Sequence, residues 1–149
     1  MPNPLSGIRA VLTQMEYIAE ELAQKYDVKH LSGPQGHVLL FLSKHAGEEM
    51  FVKDIEKELK ISKSVASNLV KRMVKNAFIE VIPSEVDRRC KQVVLTSKGL
   101  EKIQPLKAFH EEMSQQIFQG ISWEELKLVH RVIQQLQENI LNYMGGKDV

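Results

Sequence analysis

Between Glu58 and Glu80 the chain carries five cations, Lys60, Lys63, Lys71, Arg72 and Lys75, and no acid. Short polar side chains are interleaved with them: Ser62, Ser64, Ser67 and Asn68. Ammonium and guanidinium groups pair with phosphate oxygens, while short hydroxyls and an Asn amide can approach base edges. A second cluster, Asp87-Arg88-Arg89, adds two guanidiniums. Arg gains from the enhanced negative potential of a narrow minor groove, and one carboxylate can hold a neighbouring Arg by bidentate pairing. Arg89 follows Asp87 by two, so an extended strand would project both on one face. The chemistry these types share is recognition of a polyanion.

The overall charge of +1 conceals this pattern. Residues 53–98 hold eleven Lys/Arg against six Asp/Glu, a balance of +5, and the remainder holds nine against thirteen, or −4. A basic middle between acidic ends points to a polyanionic partner. The 149 residues, 43% hydrophobic and 26% charged, suit one globular domain or two small lobes sharing a core. The longest apolar run, Val38-Leu-Leu-Phe-Leu42, is far below the ~20 residues a membrane span requires. Met-Pro-Asn-Pro-Leu-Ser-Gly lacks a charged stretch leading into an apolar one, so no secretory signal is expected, and the cytoplasm is the default compartment. Cys90, the single cysteine, excludes an internal disulfide and every multi-cysteine zinc pattern.

The elements that must position the polar stripe follow from periodicity. Leu5, Ile8, Leu12, Met15, Ile18, Leu22 and Tyr26 step by three and four, predicting a first helix with a narrow apolar seam. Ser32-Gly-Pro-Gln35 has the spacing of a capping box opening a second, buried helix that ends near His45-Ala-Gly47. Val52, Ile55 and Leu59 define a third. Ile61, Val65, Ala66, Leu69, Val70, Met73 and Val74 define the inner face of a fourth, N-capped by Ser62. Only Lys60 and Ile61 separate the two, which is helix-turn-helix spacing. Phe78–Ile82 and Lys91–Thr96 read as the strands of a hairpin with a polar tip. Helix resumes near Thr96, where Pro105 is expected to kink or end its first part. Gly120 then breaks the pattern, and Ser122-Trp-Glu-Glu125 is a second capping box. Leu126, Val129, Ile133, Leu136 and Ile140 form a heptad-like seam. The expected fold is mainly α with a small β-hairpin wing. The segments are an N-terminal dimerisation helix over 1–31, a winged helix-turn-helix lobe over 32–98, and C-terminal dimerisation helices over 99–149.

Asp87-Arg-Arg89 with Val93-Val-Leu-Thr-Ser-Lys-Gly99 resembles the wing and following helix start of the MarR (multiple antibiotic resistance regulator) family. Ser32-x-x-Gln35 and Ile61-Ser-Lys-Ser-Val-Ala-Ser-Asn-Leu-Val70 resemble it as well, and the match runs over nearly the whole chain. One departure is Ala77, where the family usually has Gly before the first wing strand; Asn76 is expected to supply a left-handed cap instead. The resemblance implies a homodimeric, sequence-specific regulator of transcription, a repressor, bound to double-stranded DNA at a pseudo-palindromic operator. Lys63, Ser64, Ser67, Asn68 and Lys71 would face the major groove, with Ser62 opening the helix. Asp87, Arg88 and Arg89 would serve the wing, while Lys53, Arg72, Lys75 and Lys91 would meet phosphates. It further implies a small organic effector between the lobes, for which Met15, His37, Phe41, Phe109 and His110 are candidates. The exposed seams of the first and last helices fit a two-fold dimer independently.

Other chemistry finds little footing. Gly-x-Ser-x-Gly, His-Glu-x-x-His and a phosphate-binding Gly loop are all missing, so an enzyme is not expected. Gly33-Pro-Gln-Gly36 matches the Gly-x-x-Gly of a KH loop but lacks flanking cations. His37 and His110 lie close to positions that resemble ligands in zinc-sensing family members, yet zinc wants four ligands, so neither a metal nor a cofactor is expected. Cys90 beside two arginines favours a thiolate, although oxidation-sensing members place their cysteine near the first helix. The alternatives are a winged-helix module binding an acidic protein, or a metal- or oxidation-sensing regulator. The steep salt dependence of DNA binding separates the first of these from regulation.

Overall fold

The computed structural model describes residues 2–145. Seven helices and one hairpin follow in the order α1 (Ile8–Lys25), α2 (Pro34–Lys44), α3 (Val52–Leu59), α4 (Lys63–Lys75), β1 (Ile79–Pro83), β2 (Lys91–Leu95), α5 (Ser97–Glu101), α6 (Ile103–Ile117) and α7 (Trp123–Gly145). The chain divides into two compact units, one ending at Met113 and one beginning at Ser114.

The first unit has one core. Ala23, Val28 and Leu31 from the end of α1 and the loop after it meet Val38, Leu39 and Leu42 of α2 and Ile55 of α3. Leu69, Val70 and Met73 of α4, Phe78, Ile79 and Val93 of the hairpin, and Ile103, Leu106 and Phe109 of α6 complete it. Two ties fix the end of α1 to later elements. Glu112 accepts from Lys25 Nζ at 2.7 Å and Tyr26 OH at 2.9 Å. Lys102 Nζ donates to the Asp27 carbonyl at 2.6 Å.

The helix-turn-helix forms as its caps require. Lys60 turns at φ 55°, and the Ser62 hydroxyl accepts from Val65 N, satisfying a donor that the first turn of α4 leaves unpaired. Antiparallel β1 and β2 run in register from Ile79 opposite Leu95 to Pro83 opposite Lys91, and Met50 adds an isolated bridge to Val93. Thr96 caps α5 by accepting from Gly99 N at 3.0 Å and also donates to the Ala77 carbonyl at 2.6 Å. Gly99 is required there, because a Cβ would lie 2.2 Å from the Phe78 carbonyl oxygen.

Three local expectations are corrected. No capping box forms at Ser32: Gly33 is the N-cap of α2, and the Gln35 amide oxygen accepts from Asn76 Nδ2 at 3.1 Å instead. Asn76 stays right-handed and Ala77 itself takes the left-handed turn at φ 65°. The break near Pro105 falls earlier, at Lys102, so proline occupies the first turn of α6, where a missing N–H leaves no intrahelical bond unmade. The second capping box does form. Ser122 Oγ accepts from Glu125 N at 3.1 Å while the Glu125 carboxylate accepts from Ser122 N at 3.2 Å. The helix it opens, α7, has no buried residue.

Candidate nucleic-acid interface and effector cavity

Helix α4 presents three sides. Ala66, Leu69, Val70 and Met73 are buried at 5% exposure or less and anchor it in the core. Lys63, Ser64, Asn68, Lys71 and Lys75 are exposed and Ser67 half-buried, forming the outward stripe. Lys63 and Ser67 share a hollow of about 410 Å³ with Lys53 at the start of α3 and with Cys90 and Lys91 at the wing. Four of the candidate polyanion-binding residues, from three elements, thus converge on one concavity. The Lys53 ammonium sits over the Phe51 ring, 5.8 Å from its centroid, a cation–π contact that holds the charge beside this hollow.

The third side differs from expectation. Helical spacing puts Val65 and Val74 on the inner face, yet they are 49% and 43% exposed. Arg72, expected to meet phosphates, lines a second cavity. The reason is angular: 65, 69 and 72 are spaced by four and three, which puts them on the flank between core and outward stripe.

That second cavity, about 500 Å³, is walled by Gly33, Pro34, His37 and Leu40 of α2 and its approach, Leu59 and Ile61 around the turn, Val65, Leu69 and Arg72 of α4, and His110 of α6. The structure brings His37 and His110 together here but sends the other three pocket candidates elsewhere. Phe41, one turn beyond His37 on α2, lines a different hollow with His45 and Met50. Phe109 is 1% exposed in the core, and Met15 is half-buried on α1. Partial burial and the neighbouring His37 hold the His110 imidazole below its ordinary range, favouring the neutral ring. His37 Nε2 lies 2.9 Å from Glu58 Oε2. Among the described residues no group of three or more His, Cys, Asp or Glu is arranged to hold a metal ion.

At the wing tip Asp87 does pair with Arg89, but not by strand alternation. Both lie beyond the ladder, which ends at Pro83 and Lys91. The Asp87 carboxylate accepts from Arg89 N, Nε and Nη2, each at 3.1 Å, so a side-chain turn and a bidentate ion pair are one structure. Those Arg89 donors lower the Asp87 pKa, and Asp87 in turn raises that of Arg89. Arg88 and Arg89 are both exposed. Sequence reasoning missed Glu49, whose carboxylate reaches the base of this wing and accepts from Glu85 N at 2.9 Å. It also missed Leu40, Leu59 and Ile61 as cavity wall, since an apolar seam carries no mark that separates wall from core.

The MarR family profile matches residues 31–89, which span the whole helix-turn-helix and reach the wing arginines. The HTH-type transcriptional repressor IacR of Pseudomonas putida is 26% identical over 121 residues, 81% of this chain and 70% of its own length. The heme sensor protein PefR of Streptococcus agalactiae, crystallised with heme, is 45% identical, with 93% of this chain and 95% of that one covered at a TM-score of 0.74. Its heme-free crystal structure is 44% identical, covering 92% and 99% of the two chains at a TM-score of 0.82. The chain belongs to the MarR family. As a MarR-family protein it is a DNA-binding regulator of transcription with a winged helix-turn-helix, not an enzyme. No helix among the described residues is long and apolar enough to cross a membrane.

Proposed function

We propose that this MarR-family protein is a homodimeric cytoplasmic repressor, and that heme entering the cavity between α2, α4 and α6 lowers its affinity for a pseudo-palindromic operator. The observation that carries the reading is the double duty of α4. Its outward side holds Lys63, Ser67, Asn68 and Lys71, while its flank supplies Val65, Leu69 and Arg72 to the cavity. An occupant pressing on that flank bears directly on the helix meant for the major groove, so differential binding to two α4 positions couples the sites.

Heme fits the residues present. The cavity volume lies within the ~300–1,000 Å³ of small-molecule sites, and Leu40, Leu59, Ile61, Val65 and Leu69 give the apolar walls a porphyrin needs. His110 is held toward its neutral form, engages no hydrogen-bond partner among the described residues, and would offer a ring nitrogen to the heme iron. Arg72 on the same wall is placed to pair with a carboxylate. When bound, heme would bring an iron centre that takes a nitrogen ligand, and two anionic propionates that a guanidinium can pair with. Here it acts as an exchangeable effector, not a resident cofactor. The likeness to PefR, a heme sensor, supports the choice over other planar apolar anions.

The homodimer is supported by exposed seams. Leu5 in the turn before α1, Ile8, Val11 and Leu12 at its start, and Val129, Ile133 and Ile140 on α7 remain 40% exposed or more. A second copy would bury them. Two-fold symmetry then matches an operator of two half-sites about one helical turn apart.

The test is selection of bound sequences from a random duplex library, with and without hemin. Recovery of one palindromic sequence that hemin abolishes supports the reading. A binder that selects no sequence, or whose selection hemin leaves unchanged, contradicts it.

A further inference from the structure

We propose that Glu49 is a positioning residue for DNA recognition: acting through Ser84, it fixes the wing-tip turn that presents Arg89. This rests on the reading that the wing meets DNA. The hairpin ladder stops at Pro83 opposite Lys91, so residues 84–90 have no ladder partners to hold their shape. Two backbone bonds close the tip, Ser84 N to the Cys90 carbonyl and Cys90 N to the Asp87 carbonyl, each at 2.9 Å, and side chains supply the rest of its order. Glu49 lies on the loop between α2 and α3, beside Met50, whose carbonyl accepts from Val93 N at 2.7 Å and so pins that loop to β2. One Glu49 oxygen accepts from the Ser84 hydroxyl at 2.5 Å, and the other accepts from Glu85 N at 2.9 Å and Gln92 Nε2 at 3.4 Å. Ser84 is 2% exposed, and its oxygen accepts from Val86 N at 3.1 Å and Asp87 N at 3.2 Å. Its hydroxyl is thereby saturated, with one donated and two accepted bonds. Asp87, fixed at its backbone, then receives the three Arg89 donors. An unbroken set of contacts leads from Glu49 to the guanidinium.

A fixed tip loses less backbone and rotamer freedom when DNA arrives, so the contacts favour binding without touching DNA. Bulk electrostatics predicts the reverse for Glu49, since an acid near a polyanion repels it. The two accounts therefore differ in sign.

The experiment is a double-mutant cycle on the full-length protein, read by fluorescence anisotropy against its selected operator at fixed salt. The variants are Glu49→Ala, Ser84→Ala and Arg89→Ala, with circular dichroism confirming that each folds. Glu49→Gln is the second variant should Glu49→Ala not fold, because its amide sets a donor against the Glu85 and Gln92 donors. The expected result is about threefold to tenfold weaker binding for Glu49→Ala and Ser84→Ala, the cost of one or two mobile side chains. In the Arg89→Ala background each should then change affinity less than about twofold, which a general structural loss would not reproduce. Tighter binding by Glu49→Ala, or a loss that simply adds to that of Arg89→Ala, overturns the inference. Unchanged affinity in Arg89→Ala alone overturns the wing reading beneath it.

Discussion

Helices α4 and α7 carry the same kind of sequence signal, apolar residues at steps of three and four, yet the fold uses them in opposite ways. In α4 the seam is interior, with Ala66 and Met73 fully buried and Leu69 at 1% exposure. In α7 Val129, Ile133 and Ile140 stay 52%, 43% and 56% exposed. Periodicity thus states that a face needs a partner but not which partner. The core of its own unit covers α4 and leaves its far side to cations and amides; in our reading α7 waits for a second copy.

Truncation in the two helices should therefore read out in different experiments. Leu69→Ala is expected to have the largest effect, about 2–5 kcal/mol of unfolding free energy, because it leaves a cavity beneath both the core and the effector wall. Chemical denaturation measures it, and a loss under about 1 kcal/mol would break the contrast. Ile133→Asp should instead act on assembly, placing an unpaired charge where the second copy packs, at roughly 3–5 kcal/mol of dimer stability. Sedimentation would show a dimer becoming a monomer; a wild-type monomer at micromolar concentration would refute the role given to α7.

Smaller effects sharpen the outward side of α4. Asn68→Ala should relax base preference at one position per half-site by about 1–3 kcal/mol, seen as a changed selected sequence. Lys75→Ala should weaken all duplexes alike and flatten the log–log salt slope by about one. The smallest change lies just past the helix. Ala77 holds a left-handed φ of 65°, so Ala77→Gly is expected to raise unfolding stability by about 1 kcal/mol or less, after the entropy glycine adds to the unfolded chain.

Much of this was legible in the residues. Helix order, the tight turn before Ser62, the hairpin and the capping box at Ser122 all follow from local chemistry with strong periodic or capping signals. What was not legible depended on distant partners. The Ser32 cap yielded to Gly33 because Gln35 found Asn76, 41 residues away. Arg72 and Val65 lie at the edge between two helix sides, where a wheel cannot decide which neighbour wins. The candidate interface was readable because an acid-free run of cations is a one-dimensional pattern. The cavity was readable only at His37 and His110, since its apolar wall looks like core. Glu49 carries no sequence signal, being one acid in a polar loop until the wing folds against it.

Whether helix α4 links the cavity to DNA is decided by titrating hemin into the protein–operator complex while following anisotropy. Operator should be released as hemin binds, with His110→Ala requiring far more hemin for the same release yet binding the operator normally without it. Operator affinity that hemin leaves unchanged in the wild type, or release that His110→Ala matches at the same hemin concentration, would contradict that link.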